Sequence, residues 1–393
     1  MSHLRAFIGK ICKYAKLTGI CDPQEGPEKI LVGGGVTPPI PYNRIPTLHK
    51  FAETKPRMRQ QWFVTSASAA ALMLKIFYRS SGGPIEQQQG NNKLLFCEQS
   101  DIRQGVWVAL PTNETEGNAA KGAKGAQYHW RVHPQRSNGY CRFEEEFQTS
   151  LFCDLMENQV ILFIGDSLSH EMWVSLRDLA VANGRLGPPR RYILLVSPSG
   201  EYQKVCSNTT LVYARSNDLN DIQEVLERQK EFPSVVVMNT GAWYQPTHTY
   251  NQTMGQMIDL MLRWQDLCKS SGLMCPFIWR TTAPGTPNCM NFKRPENNVT
   301  RMENLWGYGS TQKEHLHPHL DVYHWKDFHH QNEIASEMLG QSGLEYKIID
   351  GYKIGLTRPD QHVSMRDCLH HQSPEVPDAY NIVLLYFLHA LSV

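Results

Sequence analysis

Short apolar runs alternate with helical patterns along the chain after residue 150, and this alternation limits the fold more than any other feature. An amphipathic pattern follows the first run, and helical spacing of apolar residues follows the third. Short apolar runs bounded by turn residues are typical of buried strands, and strands separated by helices pair in parallel. The sequence therefore predicts an α/β fold, a three-layer α/β/α sandwich with a mainly parallel sheet. The predicted strands are 160–164, 192–196, 234–238, 276–279 and 344–349, and the predicted helices include 168–179, 219–231 and 254–264.

Polar residues follow three of these predicted strands directly. Ligands of parallel sheets bind beyond the carboxyl ends of the strands. We therefore expect the three polar segments to share one rim of the sheet. They are Gly165-Asp166-Ser167, Asn239-Thr240-Gly241 and Arg280-Thr281-Thr282.

Ser167 lies where a predicted strand ends and a predicted helix begins. Free N–H groups and the positive dipole end of a helix favour negative charge at such a position. A serine there can act as a nucleophile in acyl transfer. The other interpretation is that Asp166 or Ser167 only caps the helix. Local sequence leaves both interpretations open.

A serine nucleophile needs a base, and the segment 366–381 contains a candidate pair. Asp367 and His370 are three residues apart, so one short turn can present both side chains to the same place. The alternative is a polar surface loop with an incidental D-x-x-H sequence. Asn239 offers a side-chain amide that could stabilise an oxyanion, although an asparagine before Gly241 also suits a simple turn.

Composition favours a secretory protein and excludes a nucleic-acid partner. The 393 residues carry a formal net charge of +1, with basic and acidic residues interspersed. Eight of the ten cysteines lie beyond residue 90 without zinc-ligand spacing, which suits disulfides in an oxidising compartment. The same region contains four N-glycosylation sequons, at Asn113, Asn208, Asn251 and Asn298.

The N-terminal part of the chain is expected to lie outside the catalytic domain. Residues 1–60 are punctuated by proline and glycine and are expected to form a flexible, cytoplasmic tail. Residues 61–79 are a candidate signal-anchor helix after a basic flank. They are short for a span and contain Lys75, so an alanine-rich surface helix is the alternative. Residues 80–93 look like a linker, and 94–393 form the predicted domain.

The ordered motifs of this domain resemble the trichome-birefringence-like/PC-esterase family of the SGNH (GDSL-like) hydrolase superfamily. The resemblance spans about residues 94–393 in the order of the family's blocks. Four blocks carry it: Gly165-Asp166-Ser167-Leu168 with Trp173; Asn239-Thr240-Gly241-Ala242-Trp243; Arg280-Thr281-Thr282-Ala283-Pro284; and Asp367-Cys368-Leu369-His370 followed by 376–381. Further matches are 105–108 after Cys97, 130–134 before Cys141, and Asp360-Gln361-His362.

The resemblance implies a set of site roles. Ser167 would be the nucleophile, His370 the general base and Asp367 the carboxylate that orients it. Asn239 would be an oxyanion donor with the Ser167 backbone N–H. Other residues expected on the oxyanion or substrate side are Gly165, Asp166, Gly241 and Arg280.

The implied activity is O-acetyl transfer to sugar hydroxyls of a polysaccharide or glycan. No metal or tightly bound cofactor is implied, and an acetyl donor would be the co-substrate. The implied location is the Golgi membrane, with a single-pass type II anchor and a lumenal domain; a secreted protein is the alternative. The alternative functions are a carbohydrate acetylesterase with the same triad and a non-catalytic glycan-binding protein.

The chain also departs from the family pattern. Residues 169–172 read Ser-His-Glu-Met where plant members usually have N-R-N-Q. After His370, the usual tryptophan, second cysteine and glycine are His371, Gln372 and Glu375. The acceptor and the disulfide partner of Cys368 therefore stay open.

Overall fold

A computed structural model describes residues 95–110, 128–132, 141–181, 200–244, 247–305, 324–364, 367–371 and 374–392. All of these residues belong to one compact unit. The predicted tail, anchor and linker, residues 1–93, lie outside the described residues. The predicted strand 192–196 lies outside them as well.

The strands of the described residues form one large sheet and three small two-stranded sheets. The small pairs are β1 with β4, β2 with β3, and β11 with β12. The strands are β1 (Leu95–Phe96), β2 (Val106–Ala109), β3 (Tyr128–Arg131), β4 (Cys141–Arg142), β5 (Val160–Gly165), β6 (Glu201–Val205), β7 (Thr209–Arg215), β8 (Val235–Met238), β9 (Phe277–Arg280), β10 (Tyr346–Ile349), β11 (His362–Ser364) and β12 (Asp367–His371).

Helices connect and cover these strands. Within the described ranges they are α1 (Gln99–Ile102), α2 (Thr149–Leu155), α3 (Ser167–Leu179), α4 (Ile222–Arg228), α5 (Thr247–Ser270), α6 (Val299–Asn304), α7 (Phe328–Gln341), α8 (Gly351–Leu356) and α9 (Glu375–Ser392). None of the helices in the described part of the chain is both long enough and apolar enough to cross a membrane.

In the part of the chain that the structure describes, the large sheet has the strand order β10-β9-β8-β5-β7-β6; its edge pair β6–β7 is antiparallel and the other pairs are parallel. All six residues of β5 are buried, as expected for a central strand covered on both faces. Ile161 and Phe163 belong to a core with α3 and α9, whereas Leu162 and Ile164 belong to a second core with α5 and α7. The predicted α/β/α sandwich with a mainly parallel sheet is confirmed.

The strand order also locates the expected ligand crevice. From β5 the chain proceeds to β7 on one side and later to β8 on the other. Such a reversal is the switch point where open α/β sheets bind ligands at their carboxyl edge. Ser167 and Asn239 follow the two strands that flank this point.

The structure differs from the sequence prediction at a few elements. The predicted helix 219–231 is shorter, Ile222–Arg228, because Leu219 takes a left-handed backbone conformation. The edge hairpin β6–β7 and the long final helix α9 were not predicted.

Four disulfides confirm the prediction that the cysteines beyond residue 90 are bridged. They join Cys97 to Cys141, Cys153 to Cys206, Cys268 to Cys275, and Cys289 to Cys368. The last bridge identifies Cys289 as the disulfide partner of Cys368.

Candidate active site

The turn between β5 and α3 presents the Ser167 side chain at the carboxyl rim. Asp166 caps the helix, because its Oδ1 accepts the Leu168 N–H at 2.9 Å. Ser167 is the first residue of α3 and is half-buried. Asp166 is therefore the cap, and the Ser167 hydroxyl is left for another partner; the nucleophile role of Ser167 stays a prediction.

Gly165 permits this tight turn. A Cβ atom at this position would lie 2.3 Å from the Ser169 Oγ and 2.4 Å from the Asn239 backbone oxygen. No side chain fits in that space, so the ends of β5 and β8 approach closely only with glycine here. Gly241 has a similar role on the neighbouring strand end, where a Cβ would lie 2.6 Å from the Thr282 Oγ1.

Ser167, His370 and Asp367 form a continuous hydrogen-bonded triad. The Ser167 Oγ lies 2.8 Å from the His370 Nε2. The His370 Nδ1 lies 2.9 Å from the Asp367 Oδ2 and 3.0 Å from the Oδ1. A carboxylate only accepts hydrogen bonds, so in the neutral form of His370 the proton belongs on Nδ1 and leaves Nε2 to accept from the serine hydroxyl. Residues about 200 positions apart in sequence thus meet in the geometry that activates a serine.

A local turn of the backbone brings Asp367 and His370 together. The Asp367 Oδ1 accepts the N–H groups of Leu369 at 3.3 Å and of His370 at 3.1 Å. Aspartate commonly folds back onto the following backbone in this way. Cys368, between them, is tied to Cys289. The D-x-x-H spacing therefore acts through a turn at the start of β12, as the sequence predicted.

The two ionisable members of the triad stabilise each other's charge. Burial alone would raise the pKa of Asp367, but the hydrogen bond and charge of His370 lower it to about 2. Burial alone would lower the pKa of His370, but the Asp367 hydrogen bond and the charges of Glu171, Asp367 and Asp166 raise it to about 9. The pair is therefore ionic near neutrality, and the neutral base form of His370 gains population as pH rises.

Asn239 is buried at the end of β8, and its amide orientation is fixed. Its Nδ2 donates to the Arg280 backbone oxygen and to the Thr282 Oγ1, both at 2.9 Å. Its Oδ1 accepts from the Arg280 Nη2 at 2.7 Å. Both amide hydrogens are thus committed within the protein. The oxyanion role predicted for Asn239 stays a prediction, and it requires the amide to exchange one of these partners.

Asp166 and Arg280 lie beneath the rim and are almost fully buried. Burial raises the pKa of Asp166, against the opposing charge of Arg280. The Asp166 Oδ2 has no hydrogen-bond partner among the described residues. The Arg280 guanidinium carbon lies 5.1 Å from the centre of the Tyr380 ring. The substrate contacts predicted for Asp166 and Arg280 stay predictions; here both side chains face the protein interior.

The sequence did not single out Glu171 and His362 as members of this site. Glu171 follows Ser167 by one helical turn and is buried, and His362 lies on β11 beside β12. A carboxylate on the apolar face of an amphipathic helix was the signal available for Glu171. For His362 the available signal was its place in the Asp360-Gln361-His362 motif.

Trp243 lies at the edge of the site with 47% of its surface exposed. The preceding residue, Ala242, packs in one cluster with Leu168 and Leu369. These two residues are the chain neighbours of Ser167 and His370. The residue before Trp243 is therefore packed against the chain neighbours of Ser167 and His370, and about half of the Trp243 surface is exposed.

The described part of the chain offers no metal site, and its large cavity lies away from the triad. Those residues contain no group of three or more metal-ligating side chains that could hold an ion. A cavity of about 840 Å³ lies at the amino ends of β5, β8, β9 and β10, and Ser234, Cys275 and Leu344 line it. It lies at the opposite edge of the sheet from Ser167, and no triad residue lines it.

Comparison with known proteins adds little to this geometry. No family model and no curated protein matches the chain. One similar solved structure is that of a protein from Bacteroides fragilis NCTC 9343, provisionally assigned as an acylhydrolase. The identity is 12%, the TM-score is 0.29, and the match covers 60% of this chain and 88% of that one. This likeness is too distant to support a role for any residue. The resemblance to the trichome-birefringence-like/PC-esterase family stays a prediction.

Proposed function

We propose that this protein is a serine-dependent enzyme that acts on acyl esters, with Ser167 as nucleophile, His370 as general base and Asp367 as its orienting carboxylate. The observation that carries the proposal is the 2.8 Å contact between the Ser167 Oγ and the His370 Nε2, in series with the 2.9 Å contact between His370 and Asp367. A surface loop with an incidental D-x-x-H sequence would not place its histidine on a serine at the carboxyl rim.

The reaction begins when His370 accepts the hydroxyl proton as the Ser167 Oγ attacks the acyl carbonyl. Asp367 stabilises the imidazolium that forms. The Ser167 N–H has no acceptor within its own helix, because Ser167 is the first residue of α3, and it can donate to the oxyanion. His370 then returns the proton to the leaving oxygen. A hydroxyl that His370 deprotonates finally attacks the acyl-enzyme, the bond between the acyl carbon and the Ser167 Oγ breaks, and His370 returns the proton to this oxygen.

Within this chemistry we assign acetyl transfer to a sugar hydroxyl. The family resemblance supports the assignment. Trp243 supports it too, because it follows Ala242, which packs against Leu168 and Leu369, and its half-exposed indole offers a flat apolar face to the C–H groups of a sugar ring. Water reaches the triad, since the side chains of His370 and Asp367 are 22% and 35% exposed. This exposure favours hydrolysis as the second candidate function.

The proposed location is the lumen of the secretory pathway. Four disulfides in the described domain support an oxidising compartment. The sequon residues Asn208, Asn251 and Asn298 are exposed, as glycan acceptors must be, and Asn113 lies outside the described residues. The Golgi location and the type II anchor at 61–79 are part of the same proposal.

A product assay separates the candidate functions. The full chain is incubated with an unacetylated xylo-oligosaccharide and an aryl acetate donor, and both acetylated sugar and free acetate are measured. Acetylated sugar that disappears with Ser167→Ala supports acetyl transfer. Ser167-dependent acetate release without sugar acetylation establishes an esterase. If neither product forms and a fluorophosphonate does not label the protein, the chain is a non-catalytic binding protein.

A further inference from the structure

The peptide bond that joins His370 to His371 is held by side chains at both of its polar groups. The His370 carbonyl oxygen lies 3.2 Å from the His362 Nδ1. The His371 N–H donates to the Glu171 Oε1, also at 3.2 Å. The N–H on the other side of His370 donates to Asp367. The backbone of the catalytic base is therefore fixed on three sides by side chains, two of which have no part in the triad.

The two outer contacts are buried. Glu171 and His362 are each 4% exposed. A buried carboxylate is costly unless hydrogen bonds compensate for its lost hydration, so a hydrogen bond such as the one from the His371 N–H has structural value. Glu171 also lies one turn after Ser167 on α3. One rigid helix thus carries both the nucleophile and the acceptor that fixes the strand of its base.

The chemistry of the neighbouring histidines suits this arrangement. Burial lowers the pKa of His362 to about 4, so the ring is neutral near physiological pH. A carbonyl only accepts hydrogen bonds, so the His362 proton belongs on Nδ1. The His371 ring lies 4.5 Å from the His362 ring and hydrogen-bonds the Gly355 backbone. Burial lowers the pKa of His371 as well. Because the His362 and His371 rings are neutral, the charges around His370 come from the neighbouring carboxylates.

We propose that Glu171 is a positioning residue for His370: its carboxylate ties the 370–371 peptide to the helix of the nucleophile and adds a negative charge to the surroundings of the base. This inference rests on the proposed function, since it concerns the reactivity of Ser167. Asp367 orients the imidazole directly, whereas Glu171 acts through the backbone and through its field.

The negative charge of Glu171 affects the pKa of His370, an effect that a purely structural role of Glu171 would not have. The charges of Glu171, Asp367 and Asp166 all raise the pKa of His370. Removing one of them must therefore shift the titration of the base to lower pH. The titratable groups that surround the ring are Asp367 and His371 on β12, Glu171 on α3, Asp166 at the N-cap of α3, and His362 on β11.

The test measures the rate of fluorophosphonate labelling of the full chain against pH for Glu171→Gln and Glu171→Leu. Glutamine keeps an acceptor oxygen and loses the charge. The acidic side of its rate–pH profile, called the acid limb below, moves to lower pH, so on that limb the variant is labelled faster than the parent. Its plateau rate at high pH stays within about twofold of the parent. Leucine loses the acceptor as well, and its plateau falls on the order of tenfold because the base is misplaced. The matched control is Glu296→Gln, whose carboxylate also accepts a backbone N–H but lies outside the triad's surroundings.

The outcomes distinguish a failure of the proposed Glu171 role from a failure of the proposed serine-dependent activity. If the parent chain is not labelled at any pH, the proposed function fails. If the parent is labelled and both Glu171 variants follow its profile, Glu171 is not a positioning residue. If Glu171→Leu does not fold, as judged by thermal unfolding, the acid limb of Glu171→Gln decides the question alone. The Glu296→Gln profile is expected to match the parent.

Discussion

Replacing Asp367 with asparagine is the substitution whose effect follows most directly from the geometry. The Oδ1 of Asp367 accepts two backbone N–H groups, so the amide oxygen must take that position. The new NH₂ group then occupies the position of Oδ2, 2.9 Å from the His370 Nδ1. Two donors would face each other there. The imidazole escapes by moving its proton to Nε2, which can then no longer accept the Ser167 proton.

The size of the effect follows from the tautomer. In a serine protease the corresponding substitution lowers kcat by about 10⁴, which is about 5.5 kcal/mol in the barrier. The amide oxygen that Asp367→Asn retains would still lie about 3.0 Å from Nδ1, as the Oδ1 does now, so part of the productive tautomer survives. We therefore expect a loss of about 10³ to 10⁴ in kcat/KM on an aryl acetate.

The pH dependence supplies a second readout. Catalysis needs neutral His370, whose pKa is raised to about 9, so the parent rate rises with pH up to that value. Without the Asp367 charge the imidazolium is less stable, and the acid limb moves towards the ordinary histidine value of about 6.5. Fluorophosphonate labelling measured against pH reports both effects. A loss below tenfold with an unshifted acid limb would refute the triad.

Two further predictions concern the supports of the site. Replacing Cys289 and Cys368 with alanine opens a loop with a sequence separation of 79 residues and should lower the free energy of unfolding by about 4 kcal/mol, measured by urea denaturation. It should also slow labelling of Ser167, because Cys368 lies between the base and its carboxylate. Trp243→Ala should raise KM for an acetylated oligosaccharide about tenfold, or about 1.4 kcal/mol, and leave kcat/KM for a small aryl acetate unchanged.

Each of these predictions has a matched control. The Cys268–Cys275 bridge has a sequence separation of only 7 residues and lies at the opposite edge of the sheet. Its removal should cost about 2 kcal/mol and leave labelling unchanged, so equal losses of labelling from both bridges would contradict the local role of Cys368. Trp243→Phe keeps an aromatic face and should recover most of the oligosaccharide affinity. An unchanged KM in Trp243→Ala would remove the sugar-stacking role.

The central sheet was predictable from sequence because its strands are apolar on both faces and end in glycine or polar residues. The runs 160–164, 234–238 and 276–279 lie within one residue of β5, β8 and β9. The edge hairpin β6–β7 was missed because β6 carries polar residues that read as a loop. The helix α9 was missed because its first turn contains Pro377, which a helix tolerates only near its start.

The candidate triad was predictable for a different reason: the chemistry requires three residue types, and their motifs occur in a fixed order. The partners of Asn239 could not be predicted from the sequence, because both amide hydrogens are donated to Arg280 and Thr282 at the end of another strand. It also could not show that Glu171 contacts the peptide after His370, a contact between residues 200 positions apart. Such contacts depend on tertiary packing that local patterns do not encode.

The role of Ser167 as the nucleophile is tested most directly by the position at which an active-site-directed phosphonylating reagent becomes attached. The protein is treated with a fluorophosphonate at alkaline pH, digested, and the adduct is located by mass spectrometry. We expect one adduct, on Ser167, that is absent in Ser167→Ala and strongly reduced in His370→Ala. An adduct on another residue, or equal labelling of Ser167→Ala, would contradict it.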